Sequence, residues 1–100
     1  MIEVRYVEIN DEIEKKVVEH FGSWVKDYEC IQRGEGCFTI AALYEDRVIG
    51  CAAVHPSQFI PPLEKYFDAF IELIEVDESY RRQGIGKTMI GILEIKRIWI

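Results

Sequence analysis

Ile2, Val4 and Tyr6 alternate with Glu3 and Arg5, which is the two-residue period of a strand with one polar face. The period then changes. Ile13, Val17 and Phe21 recur at helical spacing, and Asn10 or Asp11 ahead of them can cap a helix running to Phe21. Gly22 and Ser23 interrupt the stripe. Trp24, Val25 and Tyr28 predict a second, short helix that Arg33-Gly34-Glu35-Gly36 stops. Cys37 to Tyr44 and Arg47 to Val54 are apolar runs joined by Glu45-Asp46. They predict an antiparallel hairpin, apolar on both faces and therefore internal to a sheet. Pro56, Pro61 and Pro62 put the following segment in a loop. Ala69 to Val76 predicts a further strand. Ile85, Met89, Ile92 and Leu93 predict a helix from Gly84 to about Glu94, and Ile98 to Ile100 read as the start of a last strand.

The predicted order is β-α-α-β-β-β-α-β, a single α/β domain over residues 1–100. Its central sheet is mixed and mostly antiparallel, with helices packed against it. An apolar content of 49% with 30% charged residues fits a folded, soluble domain rather than disorder. The net charge of −6 and the absence of any basic tract longer than Arg81-Arg82 argue against nucleic acid as a partner. A cationic partner such as an amine suits this field better. Cys30, Cys37 and Cys51 lack metal-ligand spacing, so no metal is expected, and they read as free thiols in a reducing compartment. Cys37 and Cys51 fall inside apolar strand patterns, where burial is the expectation. The N-terminus lacks the apolar core of a signal peptide, and no apolar run reaches membrane-spanning length. No membrane partner and a cytoplasmic location are therefore expected.

The chemistry concentrates where the strand Phe70 to Val76 ends in Asp77-Glu78-Ser79-Tyr80 and Arg81-Arg82-Gln83-Gly84-Ile85-Gly86-Lys87 opens a helix. A helix leaves its first amides without internal partners, and glycines let a phosphate approach them closely. Gly86-Lys87-Thr88 matches the end of a Walker A loop, but that loop requires glycine at position 81, where Arg81 stands. A dinucleotide fingerprint would require glycine at position 89, where Met89 stands.

The segment Arg81-Arg82-Gln83-Gly84-Ile85-Gly86 resembles the GCN5-related N-acetyltransferase (GNAT) signature, Gln/Arg-x-x-Gly-x-Gly/Ala after a central strand. Arg81, Gly84 and Gly86 meet it, and Val76, the acidic turn and Tyr80 match the usual approach. The hairpin with Gly50 on its second strand is also similar. The resemblance implies an acyl-CoA N-acyltransferase-like fold and acetyl-CoA (CoA) as cofactor. Carried over by position, Gln83, Gly84, Ile85, Gly86 and Lys87 would face the pyrophosphate. Arg81 and Arg82 would add charge, Thr88 a hydroxyl, and main chain at Ile74, Glu75 and Val76 would contact the pantetheine.

The resemblance further implies direct acetyl transfer to a primary amine on a small molecule or peptide. The amine must lose a proton before attack, so a carboxylate or imidazole is useful. Two-residue alternation places Glu72 and Glu75 on opposite faces of their strand, and either can serve as base or substrate anchor. His55 ends the second hairpin strand and is the imidazole candidate, whereas His20, beside the first helical stripe, reads as structural or solvent-facing. Trp24, Tyr28 and Phe59 are candidate walls of an acceptor pocket, with packing as their alternative role. No cysteine has a histidine partner legible in sequence, and direct transfer requires no acyl-enzyme. Family members usually continue for another helix and one or two strands, so the domain is expected to lack the usual C-terminal part. A homodimer can complete the sheet. A non-catalytic or degenerate CoA-binding or interaction domain is the alternative.

Overall fold

A computed structural model describes residues 3–34, 36–56 and 69–98. Strand β1 (Arg5–Glu8) leads into helix α1 (Asp11–Phe21) and the short helix α2 (Trp24–Asp27). Strands β2 (Phe38–Tyr44), β3 (Arg47–Pro56) and β4 (Ala69–Val76) follow, and a 3-10 turn at Glu78–Tyr80 delivers the chain to helix α3 (Ile85–Ile98). The four strands form one antiparallel sheet in the order β1-β2-β3-β4.

The hairpin expectation holds in both location and setting. β2 and β3 are the two inner strands, and their residues divide between two cores. Ala41, Leu43, Val48, Cys51 and Ala53 pack with Ile13 and Val17 of α1 and Val25 of α2 on one face. Ile40, Ala42, Ile49, Ala52 and Val54 pack with Ile85, Met89 and Leu93 of α3 on the other. Glu45 and Asp46 both carry positive φ, 50° and 66°, as a two-residue hairpin turn requires. Asn10 caps α1 by accepting the Ile13 N–H at 2.8 Å.

Four expectations need correction. The first strand spans Arg5–Glu8 rather than Ile2 to Tyr6, because its partners are Leu43 to Ile40 of β2. Helix α3 runs to Ile98, not Glu94, so Ile98 belongs to a helix and no final strand begins there; positions 99 and 100 lie outside the described residues. Cys37 precedes β2 and is half-buried, whereas Cys30 and Cys51 are the buried thiols. Strict alternation also fails at two places. Ala42 pairs with Gly50 but Leu43 pairs with Val48, which makes Ile49 an extra residue in β3. Likewise Ala53 pairs with Leu73 but Val54 pairs with Ile71, which makes Glu72 an extra residue in β4.

Candidate cofactor cradle at the end of strand β4

β4 lies at the end of the sheet order, so among the described residues its outer edge has no strand partner. Backbone groups alternate sides along a strand. The Asp77 N–H reaches inward to the Ile49 carbonyl at 2.7 Å, using the bulge residue of β3. The main-chain groups of Val76 and Ile74 therefore point outward. Arg81 confirms this side, since its Nε donates to the Val76 carbonyl at 3.1 Å.

The turn after β4 is tightly tied. Asp77 Oδ1 accepts the Ser79 N–H at 2.8 Å, and the Tyr80 N–H donates to the Asp77 carbonyl at 2.8 Å. Tyr80 is held from the hairpin, its hydroxyl accepting from an Arg47 guanidinium nitrogen at 3.1 Å and its ring 5.9 Å from that of Tyr44. Arg82 (φ 68°) and Gly84 (φ 78°) then adopt left-handed backbone on either side of Gln83. Alternating handedness of this kind turns successive N–H groups toward one concavity. The Thr88 N–H, bonding to the Gly84 carbonyl at 3.0 Å, makes the first turn's closing bond. The amides of Ile85, Gly86 and Lys87 precede it and have no carbonyl within the helix to reach.

Two features make this opening fit an anion. A Cβ built on Gly84 would meet nothing within 4 Å, so the turn's open side is clear. The first turn of α3 holds no acidic residue, whereas that of α1 holds Asp11, Glu12 and Glu14. The positive end of the α3 dipole is left to something other than the chain's own carboxylates. Arg82 and Lys87 are exposed beside it. Gly86 instead faces the sheet: its Cβ would stand 3.7 Å from Val76 Cγ2 and 3.8 Å from Ile74 Cδ1, ordinary contact distances. Ile74 is 40% exposed, an apolar shoulder at the strand's outer end.

The expected site residues therefore separate. Ile74, Val76, Arg81, Arg82, Gln83, Gly84, Ile85, Gly86 and Lys87 are brought together around one opening. Thr88 belongs to the same turn, but its hydroxyl donates to the Gly84 carbonyl at 2.9 Å. Glu75 pairs with Cys51 and so shares the α1 face of the sheet. The bulge removes the alternation on which opposite faces for Glu72 and Glu75 was based, and the Glu72 side chain lies outside the described residues. His55 is 1% exposed in β3, opposite Phe70, one strand inward from the outer edge of β4. Trp24 donates its indole N–H to the Phe21 carbonyl at 2.7 Å and packs against the α1-side core, which gives it a structural task. Tyr28 is 75% exposed, and Phe59 lies outside the described residues.

One contact was missed by sequence reasoning. His20, near the end of α1, lies with Nε2 2.6 Å from Asp77 Oδ2. Of the two roles expected for it, structural or solvent-facing, this contact gives it the structural one. Backbone donation from Ser79 leads the causes that hold the Asp77 carboxyl below its ordinary value of 3.8, with His20 also contributing. A carboxylate only accepts, so the imidazole Nε2 carries the shared proton. Among thiols, burial pushes Cys51 up to about 12, with Cys30 adding to it, which removes Cys51 as a nucleophile near neutrality. Among the described residues, no group of three His, Cys, Asp or Glu side chains is placed to hold a metal ion, and no helix is long and apolar enough to cross a membrane.

Comparison with solved structures returns the same architecture. A ribosomal-protein-alanine N-acetyltransferase from Brucella melitensis biovar Abortus 2308 aligns with a TM-score of 0.68 at 16% identity, covering 94% of this chain and 71% of that one. Aminoglycoside N-acetyltransferase AAC(6')-Iy in complex with CoA gives 0.72 at 18% identity, covering 96% and 70%. An acetyltransferase from Trypanosoma brucei gives 0.67 at 22% identity, covering 96% and 76%. At such identities the likeness is one of fold. No curated protein matches in sequence. The acetyltransferase (GNAT) family model, however, matches residues 4–96, nearly the whole length. That match and the open turn between β4 and α3 agree, and the chain belongs to the GNAT acetyltransferase family.

Proposed function

We propose that this chain transfers the acetyl group of acetyl-CoA directly to a primary amine on a small molecule or peptide. Acetyl transfer with CoA as carrier is the general chemistry of the family to which the chain belongs. The observation that carries the reading is the start of α3, where a glycine with clear space beside it replaces a side-chain cap and acids are absent. The amides of Gln83 to Lys87 would hold the diphosphate, with Arg82 and Lys87 supplying charge. Outward main-chain groups of Ile74 and Val76 would align the pantetheine arm, and the Ile74 side chain would shield it. The bound thioester supplies an activated acetyl group. The chain's own tasks are to position the amine, remove its proton and offer N–H groups to developing negative charge. Glu75, partly exposed at the end of β4, is the base best supported by described side chains. Glu72 stands at the bulge, where an extra residue re-aims a strand. A homodimer completing the sheet away from Ile74 and Val76 belongs to the same proposal and is read by sedimentation.

Calorimetry with acetyl-CoA and CoA, followed by thiol release against an amine panel, tests the reading. Binding with turnover is expected. A folded protein that binds neither would refute it, and binding without turnover would favour a non-catalytic CoA-binding domain.

A further inference from the structure

We infer that His20 is a positioning residue for the cradle, pinning the turn through Asp77 from the face of the sheet opposite α3. The inference rests on the cofactor reading for its functional consequence but not for its geometry. Asp77 is the junction. Its N–H goes to Ile49, its carbonyl receives Tyr80, one carboxylate oxygen receives Ser79, and the other is 2.6 Å from His20. The 3-10 turn that Asp77 caps delivers Arg81 to Gly84, so a shift of Asp77 is a shift of the amides that follow. Two side-chain ties from outside hold this turn: Arg47 on Tyr80 from the hairpin, and His20 on Asp77 from α1. The His20 ring is itself fixed edge-on against Phe21, with ring centroids 4.7 Å apart. Both ties open onto one surface groove of about 490 Å³, lined also by Lys16, Glu19, Asp46 and Val48.

α1 therefore reaches the cofactor opening without touching the cofactor. His20 adds a charge-assisted bond to a carboxylate that already caps the turn through Ser79. Loss of the imidazole leaves Asp77 free to rotate off Ser79, and the amides of residues 82–87 lose their common direction.

The test uses the full chain and three variants: His20→Phe, which keeps ring packing but has no N–H; His20→Gln, which restores an N–H donor; and Glu19→Gln, a groove-lining control. Amide hydrogen exchange of the free protein is read by NMR, and CoA affinity by calorimetry. In H20F, exchange at Ser79 and through the turn should rise about tenfold, with hairpin amides unchanged, and the Kd for CoA should rise about tenfold. H20Q should recover most of both changes, and E19Q should alter neither. Wild-type exchange and affinity in H20F would overturn the inference. So would acceleration spread evenly over the core amides without recovery in H20Q, which would reduce His20 to a general stability contact. Faster Ser79 exchange in H20F together with no CoA binding by the wild type would end the cofactor reading and leave the pin standing.

Discussion

The two glycines of the turn are predicted to behave differently, and the difference is a sharp test of the cradle. Gly84→Ala puts a methyl group where nothing lies within 4 Å, so its structural cost is confined to backbone strain at φ 78°. Left-handed backbone costs a non-glycine residue about 1–2 kcal/mol. The stiffer unfolded chain offsets about 0.4–1 kcal/mol of this. The net loss of about 1 kcal/mol corresponds to roughly 4–8 °C in Tm for a domain of this size. The methyl group stands on the open side, however, where a diphosphate has to approach the amides. Loss of one charge-assisted N–H···O bond, at about 1.5–3 kcal/mol, raises Kd by about 10- to 100-fold. Gly86→Ala places its methyl group at 3.7–3.8 Å from Val76 and Ile74, inside the protein. It should leave Tm unchanged or raise it, since glycine is destabilising in a helix by roughly 0.5–1 kcal/mol relative to alanine. Its effect on CoA should stay below about fivefold. Calorimetric titration with CoA beside thermal melts of both variants reads all four quantities. If G84A binds as well as the wild type while G86A loses affinity, the assignment of the open side is wrong.

Lys87→Glu should raise Tm and weaken CoA binding together, because an acid in the first turn of α3 gains about 0.3–1 kcal/mol from the helix dipole while repelling a diphosphate; parallel gains in both would refute it. Gly50→Ala should destabilise the fold by about 1–2 kcal/mol in chemical denaturation, since its Cβ would lie 3.1 Å from Met89 Cε and 3.3 Å from the Glu75 carbonyl oxygen. Cys51, with its thiol pushed up to about 12, should resist alkylation in the native protein at pH 8 and react only after unfolding, as peptide mass mapping would show. Asp77 has a folded pKa below its ordinary 3.8. Its stabilisation is therefore complete above the unfolded value, about 3.9, and is lost as pH falls through the lower folded value. Asp77→Asn should therefore be less stable than the wild type by a steady margin between pH 6 and 8, and that margin should close as acid protonates Asp77; a margin that stays constant through the acid range would contradict the assignment.

Much of the fold was legible because it follows from local periodicity. Asn10 or Asp11 as cap and the Ile13, Val17 and Phe21 stripe located α1 to within a residue at its start and at Phe21 at its end, and two adjacent apolar runs placed β2 and β3 inside the sheet. The end of α3 was not legible, since Ile98-Trp99-Ile100 has strand-like composition although the helix runs to Ile98. Bulges are equally invisible to a count of two. Ile49 and Gly50 both face α3, yet nothing in Val48-Ile49-Gly50-Cys51 beyond the glycine hints at an extra residue. Within the site, the glycines and arginines announced themselves because their spacing is local. His20 and Asp77 are 57 positions apart, and only the order of strands brings α1 beside the end of β4.

The two helix starts of this chain differ in a way that favours an anion at the second. α1 takes a side-chain cap and three acids in its first turn, a set worth about 1 kcal/mol for the cap and about 0.3–1 kcal/mol for each well-placed charge. α3 takes neither, although eighteen of the hundred residues are acidic. Acids are not scarce near it, because Asp77 and Glu78 stand just upstream. Asp77, however, is turned away, its oxygens committed to Ser79 and His20. Under the proposed function, the stability forgone at α3 would be recovered when CoA occupies the opening, since binding to the folded state alone adds about 2.7 kcal/mol at a hundredfold excess over Kd. On the proposed reading, the pin on Asp77 and the bare start of α3 would act together: one would hold a carboxylate off the amides, and the other would leave those amides for phosphate.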